Sequence, residues 1–306
     1  MKKILLIPRL KIHNANALSS PYTIGFPAMT AWLGAVHALQ RKLNVKHEDF
    51  EDLKFNSVAV VSHEFNLHTY KGSGDFNHSI ISTSNPLKRD GKRPSTIEEA
   101  RCHLTVSLLI EYSGIDQDEA EDMLEALPSL LFCMKIASGD VLDFDLKRLD
   151  LITIVDQAET KELMAKLMPG FCLIDRSDLT RQAMENGLDG LDAVLEYLKI
   201  NSHCEKVASK KAGESDKITW TQSRRERGWL VPIAIGFQGL TGLEASLNQR
   251  DETTPHRFAE SVVSLGEFIM PSRIDDIDNM LWHYASLEND LYLCKQNQNF
   301  NNPQEQ

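Results

Sequence analysis

Apolar and polar positions along the chain alternate with two different periods, and the changes of period mark its elements. Residues 2–13 have alternating polar ends around an apolar centre, Ile4 to Ile7, which predicts a strand. Residues 14–25 (NANALSSPYTIG) are rich in Asn, Ser, Pro and Gly and predict a loop. From Pro27 the period lengthens, so that Met29, Trp32, Leu33, Val36, Leu39 and Leu43 share one helical face. Residues 57–70 and 102–112 predict two more strands, separated by a polar segment, 71–95. An acidic amphipathic helix is predicted over 116–127, then a strand over 130–144 broken at Ser138-Gly139, where Gly suggests a bulge or tight bend. This order, β-α-β-β-α-β, predicts an α+β fold with a ferredoxin-like arrangement.

The second half reads differently. Residues 145–200 are predicted mostly helical, with helices over 156–167 and 179–200 separated by Pro169-Gly170. Residues 204–217 are polar and charged, a surface excursion. Strands are predicted over 229–237 and 259–270, and a short closing helix over 275–285. The low-complexity end, 295–306, is expected to fray.

Composition narrows the class. At 306 residues, with 42% apolar and 25% charged positions, the chain has enough apolar material for one large domain or two ordinary ones. No apolar run reaches the roughly 18 residues that span a bilayer. At the start, Pro8 and Arg9 cut off the apolar stretch Ile4 to Ile7, which is too short for a secretory signal. The expected location is the cytoplasm, without a membrane. Cysteines 102, 133, 172, 204 and 294 are too scattered for a disulfide framework or a zinc ribbon and fit reduced thiols.

Net charge is −11, which on its face argues against nucleic acid. Its distribution argues otherwise. Residues 115–200 hold 19 acidic and 8 basic groups, so the remainder of the chain sums to zero. Residues 1–50 carry 7 basic against 2 acidic groups, and 201–230 carry 7 against 4. Phosphate binding follows local potential, so an RNA-binding face is compatible with these flanks.

A search for catalytic chemistry returns little. There is no P-loop, dinucleotide fingerprint, HExxH, GxSxG or EF-hand pattern. His63 and Glu64 point to opposite faces of a strand, a poor start for a metal site, and neither metal nor cofactor is expected. Asp275, Asp276 and Asp278 suit a helix N-terminus. His13, His37 and Tyr22 could serve a metal-free ribonuclease, but in no specific pattern.

Binding features are clearer. Arg9, Lys11 and His13 recur at period two and lead into Asn14, Asn16, Ser19 and Ser20, groups that suit phosphates, ribose hydroxyls and unstacked bases. A solvated strand end with a capped turn would read the same way. Lys88, Arg89, Lys92 and Arg93 form a basic, hairpin-like tip that could equally be a solubilising loop. In TWTQSRRERGW, Trp220 and Trp229 interleave with Arg224, Arg225 and Arg227. That is a single-strand-binding composition for the arginines, with the indoles read rather as core.

Residues 9–43, with the unbroken strings NANA and GFPAMTA, resemble the signature of the second-subunit family of the type I-F CRISPR Csy surveillance complex, its Cas-five-type component. VVSHEFN (60–66), NPLKRDGKRPS (85–95), RCHLTVSLLIE (101–111), WLVPIAIGFQGL (229–240), RFAESVVSLGEF (257–268) and PSRIDDIDNMLWHY (271–284) fit the same family in order. The resemblance implies a repeat-associated mysterious protein (RAMP) fold. Its RNA-recognition-motif-like palm would occupy 1–144 and an inserted helical thumb 145–218, followed by a β-rich part, 219–290, and a flexible tail, 291–306. It further implies a non-catalytic subunit that holds the 5′ handle of CRISPR RNA at residues 13–20, helped by Arg9 and Lys11. The implied partners are the large subunit, the first backbone subunit and, through the complex, target double-stranded DNA. A metal-independent RAMP endoribonuclease using His13 or His37, and a purely structural adaptor, are the alternatives.

Overall fold

The computed structural model describes residues 1–81, 86–95, 98–207, 217–249, 251, 253–287 and 290–297. Its first strand, Lys2–Asn16, lies in the middle of a large antiparallel sheet. On one side it pairs with Arg101–Ser113, which pairs in turn with Lys54–Leu67. On the other it pairs with Gly139–Asp143 and Asp150–Ile154. Read across the sheet, these four long segments, numbered in chain order, therefore stand fourth, first, third, second.

Helix α1 (Met29–Lys46) follows the first strand and buries Met29, Trp32, Leu33, Val36, Leu39 and Leu43, the six positions predicted from period. Helix α2 (Gln117–Leu131) begins at a capping box, in which the Asp116 carboxylate accepts from Glu119 N and the Glu119 carboxylate from Asp116 N. Both helices cover one face of the sheet, in the main core with Leu5, Ile7, Leu10, Ile12, Val106 and Leu108. Helix α3 (Gln157–Lys166), capped in the same way by Asp156 and Glu159, covers the opposite face at one end only, against Ile4, Leu6, Ala59, Val61 and Leu109.

The sheet continues beyond Lys54–Leu67 through Trp282–Leu287, Leu291–Gln296, Leu230–Gly239, Ala259–Ile269 and Phe171–Asp175. Phe171–Asp175 also pairs with Lys54–Leu67, which closes these six strands into a ring. Helices α4 (Ser177–Glu185) and α5 (Gly190–Leu198) pack on its outside, over Leu230 and Leu265. A two-stranded ribbon, Asn201–Val207 with Lys217–Ser223, extends from the end of α5.

Several predictions of local structure need correction. Residues 150–154 and 171–175 are strands, because short apolar-rich runs found strand partners, the first in Lys2–Asn16 and the second in Ala259–Ile269 and Lys54–Leu67. The long helix over 179–200 is two, divided at Gly187, whose φ of +94° ends the first. The strand expected from 130 begins instead inside α2. Its remainder is a tight hairpin in which Ala137 and Ser138 both adopt positive φ, the backbone of a two-residue turn. Gly139 is required just after that turn, since a Cβ there would lie 2.9 Å from Ala15 Cα.

The closing helix over 275–285 is a short turn, Ile277–Asn279, followed by the strand Trp282–Leu287. Trp282 is fully buried, and its indole donates to Leu173 O at 3.0 Å, a tertiary bond that outweighs local helical preference. Part of the expected tail is strand as well: Leu291–Gln296 completes the ring, and residues 298–306 lie outside the described residues. No helix among the described residues is long and apolar enough to cross a membrane.

Candidate nucleic-acid interface

The first strand carries two β-bulges, and they decide which side chains reach solvent. Pairing with Arg101–Ser113 runs Ile7 opposite Leu108, then Leu10 opposite Val106, so Pro8 and Arg9 together face Ser107. Leu5 and Ile7 before the bulge share the helix-covered face with Leu10 and Ile12 after it. Strict period two would have buried residues 9, 11 and 13 beside Leu5 and Ile7. The extra residue reverses the parity and turns Arg9, Lys11 and His13 to the opposite face, beyond the part that α3 covers.

A second bulge sets His13 and Asn14 against His103. Arg9 and Asn14 adopt φ of +53° and +60°. Asn tolerates the left-handed region, whereas Arg pays about 1–2 kcal/mol for it. Ser107 Oγ accepts from Arg9 N at 3.1 Å, and His103 Nδ1 accepts from Asn14 N at 3.1 Å, so each bulge is pinned by a polar side chain of the neighbouring strand.

Four imidazoles gather on this face. His13 stacks on His103, with centroids 3.8 Å apart and planes at 15°, and His68 meets His103 edge-on at 4.1 Å. His63 bonds Ser107 Oγ and Pro169 O, both at 2.7 Å. Burial lowers the pKa of His63 and the Arg9 charge adds to this, against the pull of the Pro169 carbonyl. Burial also lowers His68 and His103, reinforced by their histidine neighbours. Those three rings therefore favour the neutral form; His68 and His103 offer flat surfaces for stacking, while both nitrogens of His63 are already bonded. Among the described residues no group of three or more His, Cys, Asp or Glu is placed to hold a metal ion.

The predicted residues divide into those that are free and those that hold shape. The Lys11 ammonium lies 3.2 Å from Asp143, both well exposed, a pair too solvated to resist a phosphate. Asn16 bonds both the N–H and the carbonyl of Leu18, and Ser19 donates to Phe26 O. For Ser20 the expectation is corrected: it is 5% exposed, its hydroxyl is bonded to Thr23 and accepts from Tyr22 N. The expected loop is thus a small ribbon, Leu18–Ser20 with Thr23–Ile24, held by its own hydroxyls.

Lys88, Arg89, Lys92 and Arg93 sit on an exposed tight turn in which Lys88 N bonds Lys92 O at 2.9 Å. Arg224 and Arg227 are exposed beside the two-stranded ribbon, while Arg225 is tied to Glu196 at 3.1 Å and lies over the Tyr197 ring. Both indoles are corrected from core to surface. Trp220 is 65% exposed on the ribbon, and Trp229 is 53% exposed beside Phe171 and Phe268.

Sequence reasoning missed His103 and Ser107, although polar residues at 103, 105 and 107 in an apolar strand were a period-two signal. It also missed a cleft of about 730 Å³ between the Arg9 bulge, residues 147–150 and α3.

The family model described as CRISPR-associated protein (Cas_Csy2) matches residues 5–294. The chain belongs to the Csy2 family. A curated relative, CRISPR-associated protein Csy2 of Pseudomonas aeruginosa (strain UCBPP-PA14), is 34% identical over 311 residues, with 94% of each chain covered. The Csy2 match runs from Leu5 to Cys294, and so takes in both bulges, the histidine face and the closed ring.

Proposed function

We propose that this chain is the non-catalytic RNA-binding subunit of a type I-F CRISPR surveillance complex, acting in the cytoplasm and holding the 5′ handle of CRISPR RNA. The observation that carries this reading is the double-bulged first strand. It presents Arg9, Lys11, His13 and Asn14 on a sheet face that the helices leave open. Cations can neutralise phosphates there, while imidazoles and Asn meet bases and 2′-hydroxyls.

The fourth-first-third-second strand order, with two helices on one side, supports a ferredoxin-like RAMP palm with its other face free for RNA. In this reading the thumb expected over 145–218 is carried by α4, α5 and the ribbon, while the strands at 150–154 and 171–175 and α3 pack with the sheet. The large subunit, the first backbone subunit and, through the complex, target DNA are the partners. The His13 ring lies flat on His103, an arrangement for stacking, and the chain is read as leaving precursor cleavage to another subunit.

The test is Arg9→Ala combined with Lys11→Ala, read as the salt dependence of handle-RNA binding by fluorescence anisotropy. Loss of two phosphate contacts should flatten the slope of log affinity against log salt by about 1.4, at roughly 0.7 per contact for a single strand. An unchanged slope would overturn the assignment of these residues. Ultraviolet crosslinks from repeat-derived RNA to residues 9–20 should accompany it.

A further inference from the structure

The 730 Å³ cleft beside the Arg9 bulge is locally basic, although it borders the acidic middle of the chain. That volume is in the usual range for ligand sites, about 300–1,000 Å³. Four cations line it, Arg9, Lys147, Arg148 and Lys166, against the two acids Asp150 and Glu162, so the lining carries a net charge of +2. Lys166 is held by both acids, at 3.5 and 3.3 Å, and Arg148 faces Asp145 at 3.5 Å. Arg9 and Lys147 have no carboxylate partner among the described residues; the Arg9 guanidinium donates to Met168 O.

The cleft is also fixed to the RNA face. Asp145 N donates to Pro8 O at 3.1 Å, which sets the Leu146–Arg148 turn directly against the bulge. Arg9 belongs to both surfaces: its backbone pins the bulge that exposes Lys11 and His13, and its side chain lines the cleft. No aromatic ring lines the cleft, so it offers charge without a stacking platform.

We propose that this cleft is a backbone-phosphate channel, in which Lys147 and Arg148 take phosphates of the RNA segment adjoining the one on the sheet face. The inference rests on the RNA-binding reading above and adds a division of labour. The sheet face meets bases and riboses, and the cleft meets only the phosphodiester chain.

The test is Lys147→Gln with Arg148→Gln in the full chain, measured by anisotropy with labelled handle RNA, with a permuted sequence of the same length, and with DNA of the handle sequence. Both residues are exposed, so the fold should be retained, and a circular-dichroism melt checks this. The expected result is a slope of log affinity against log salt lower by about 1.4, equal for both RNA sequences. The DNA should lose the same amount, because phosphate is the shared group. Lys147→Glu alone, which changes the charge by the same two units as the double substitution, should also weaken binding at low salt.

A slope unchanged by the double substitution, while Arg9→Ala with Lys11→Ala still lowers it, would overturn the channel and leave the RNA-binding reading standing. A loss confined to one RNA sequence would also overturn it, since that would mean base contact. Absence of salt-dependent RNA binding by the unaltered chain would overturn the reading beneath it, and the channel with it.

Discussion

Gln296 offers a sharp test of the packing that backs the interface. Read from composition, it belongs to a frayed, Asn/Gln-rich end, where substitutions change stability by no more than about 0.5 kcal/mol. In the structure it is 6% exposed on the strand that completes the ring. Its Oε1 accepts from Asp175 N at 2.7 Å, and its Nε2 donates to Leu173 O at 3.2 Å and to Met280 O at 2.9 Å. One amide thus ties three segments together. Gln296→Leu keeps much of the volume and removes all three bonds. Leu173 O stays bonded to the Trp282 indole, so the loss falls mainly on the other two. At about 1 kcal/mol net per bond, with more where a buried group is left unsatisfied, the expected cost is about 2–4 kcal/mol.

Urea unfolding followed by tryptophan fluorescence reads this directly. The midpoint should fall with the slope unchanged, as for a loss of stability without a change in exposed surface. Gln296→Glu should retain the bond from Asp175 N but turn a carboxylate oxygen toward two carbonyls. It should therefore be destabilised relative to the unaltered chain at pH 7, and the difference between the two should narrow at pH 4, where a protonated acid can donate. A cost below about 1 kcal/mol for Gln296→Leu would refute the argument and return the residue to the tail.

Two other outcomes are expected. At position 9, Arg9→Gly should be more stable than Arg9→Ala by about 0.5–1 kcal/mol in urea unfolding, because glycine relieves the left-handed strain that alanine keeps, less its own entropy cost. Both should bind handle RNA equally weakly, and a reversed order of stability would contradict the φ of +53°. The lowered pKa values of His63, His68 and His103 mean that the unfolded chain binds protons first as pH falls below the ordinary value of 6.5. Stability should therefore be fully present above about pH 6.5 and decline below it, and His63→Gln should flatten the decline between pH 7.5 and 5.5. A stability that rose on acidification over that range would show the sign to be wrong.

Much of the first half was legible because its elements are long. Helix α1 offers six apolar positions over four turns, and no strand could satisfy that period. The long strands read correctly in type, with ends misplaced by a few residues. The second half failed where elements are short. Five-residue runs such as DLITI and FCLID fit a strand or a buried helical turn equally, and their partners lie far away in sequence. The 275–285 segment and Gln296 failed for a related reason: what holds them are bonds to Leu173, Asp175 and Met280, none of which is marked locally.

The candidate site was legible only by half. Period two grouped Arg9, Lys11 and His13 correctly but could not say which way they face. Apolar residues fall at every position from 4 to 7 and then at 10 and 12, so only the pairing register shows that 5, 7, 10 and 12 share a face. Lys147 and Arg148 were hidden by a different averaging. A net charge of −11 summed over 86 residues conceals two adjacent cations, yet salt-dependent binding responds to the potential within about 10 Å. Charge counted over single turns is therefore the scale on which an interface of this kind becomes readable before any coordinates exist.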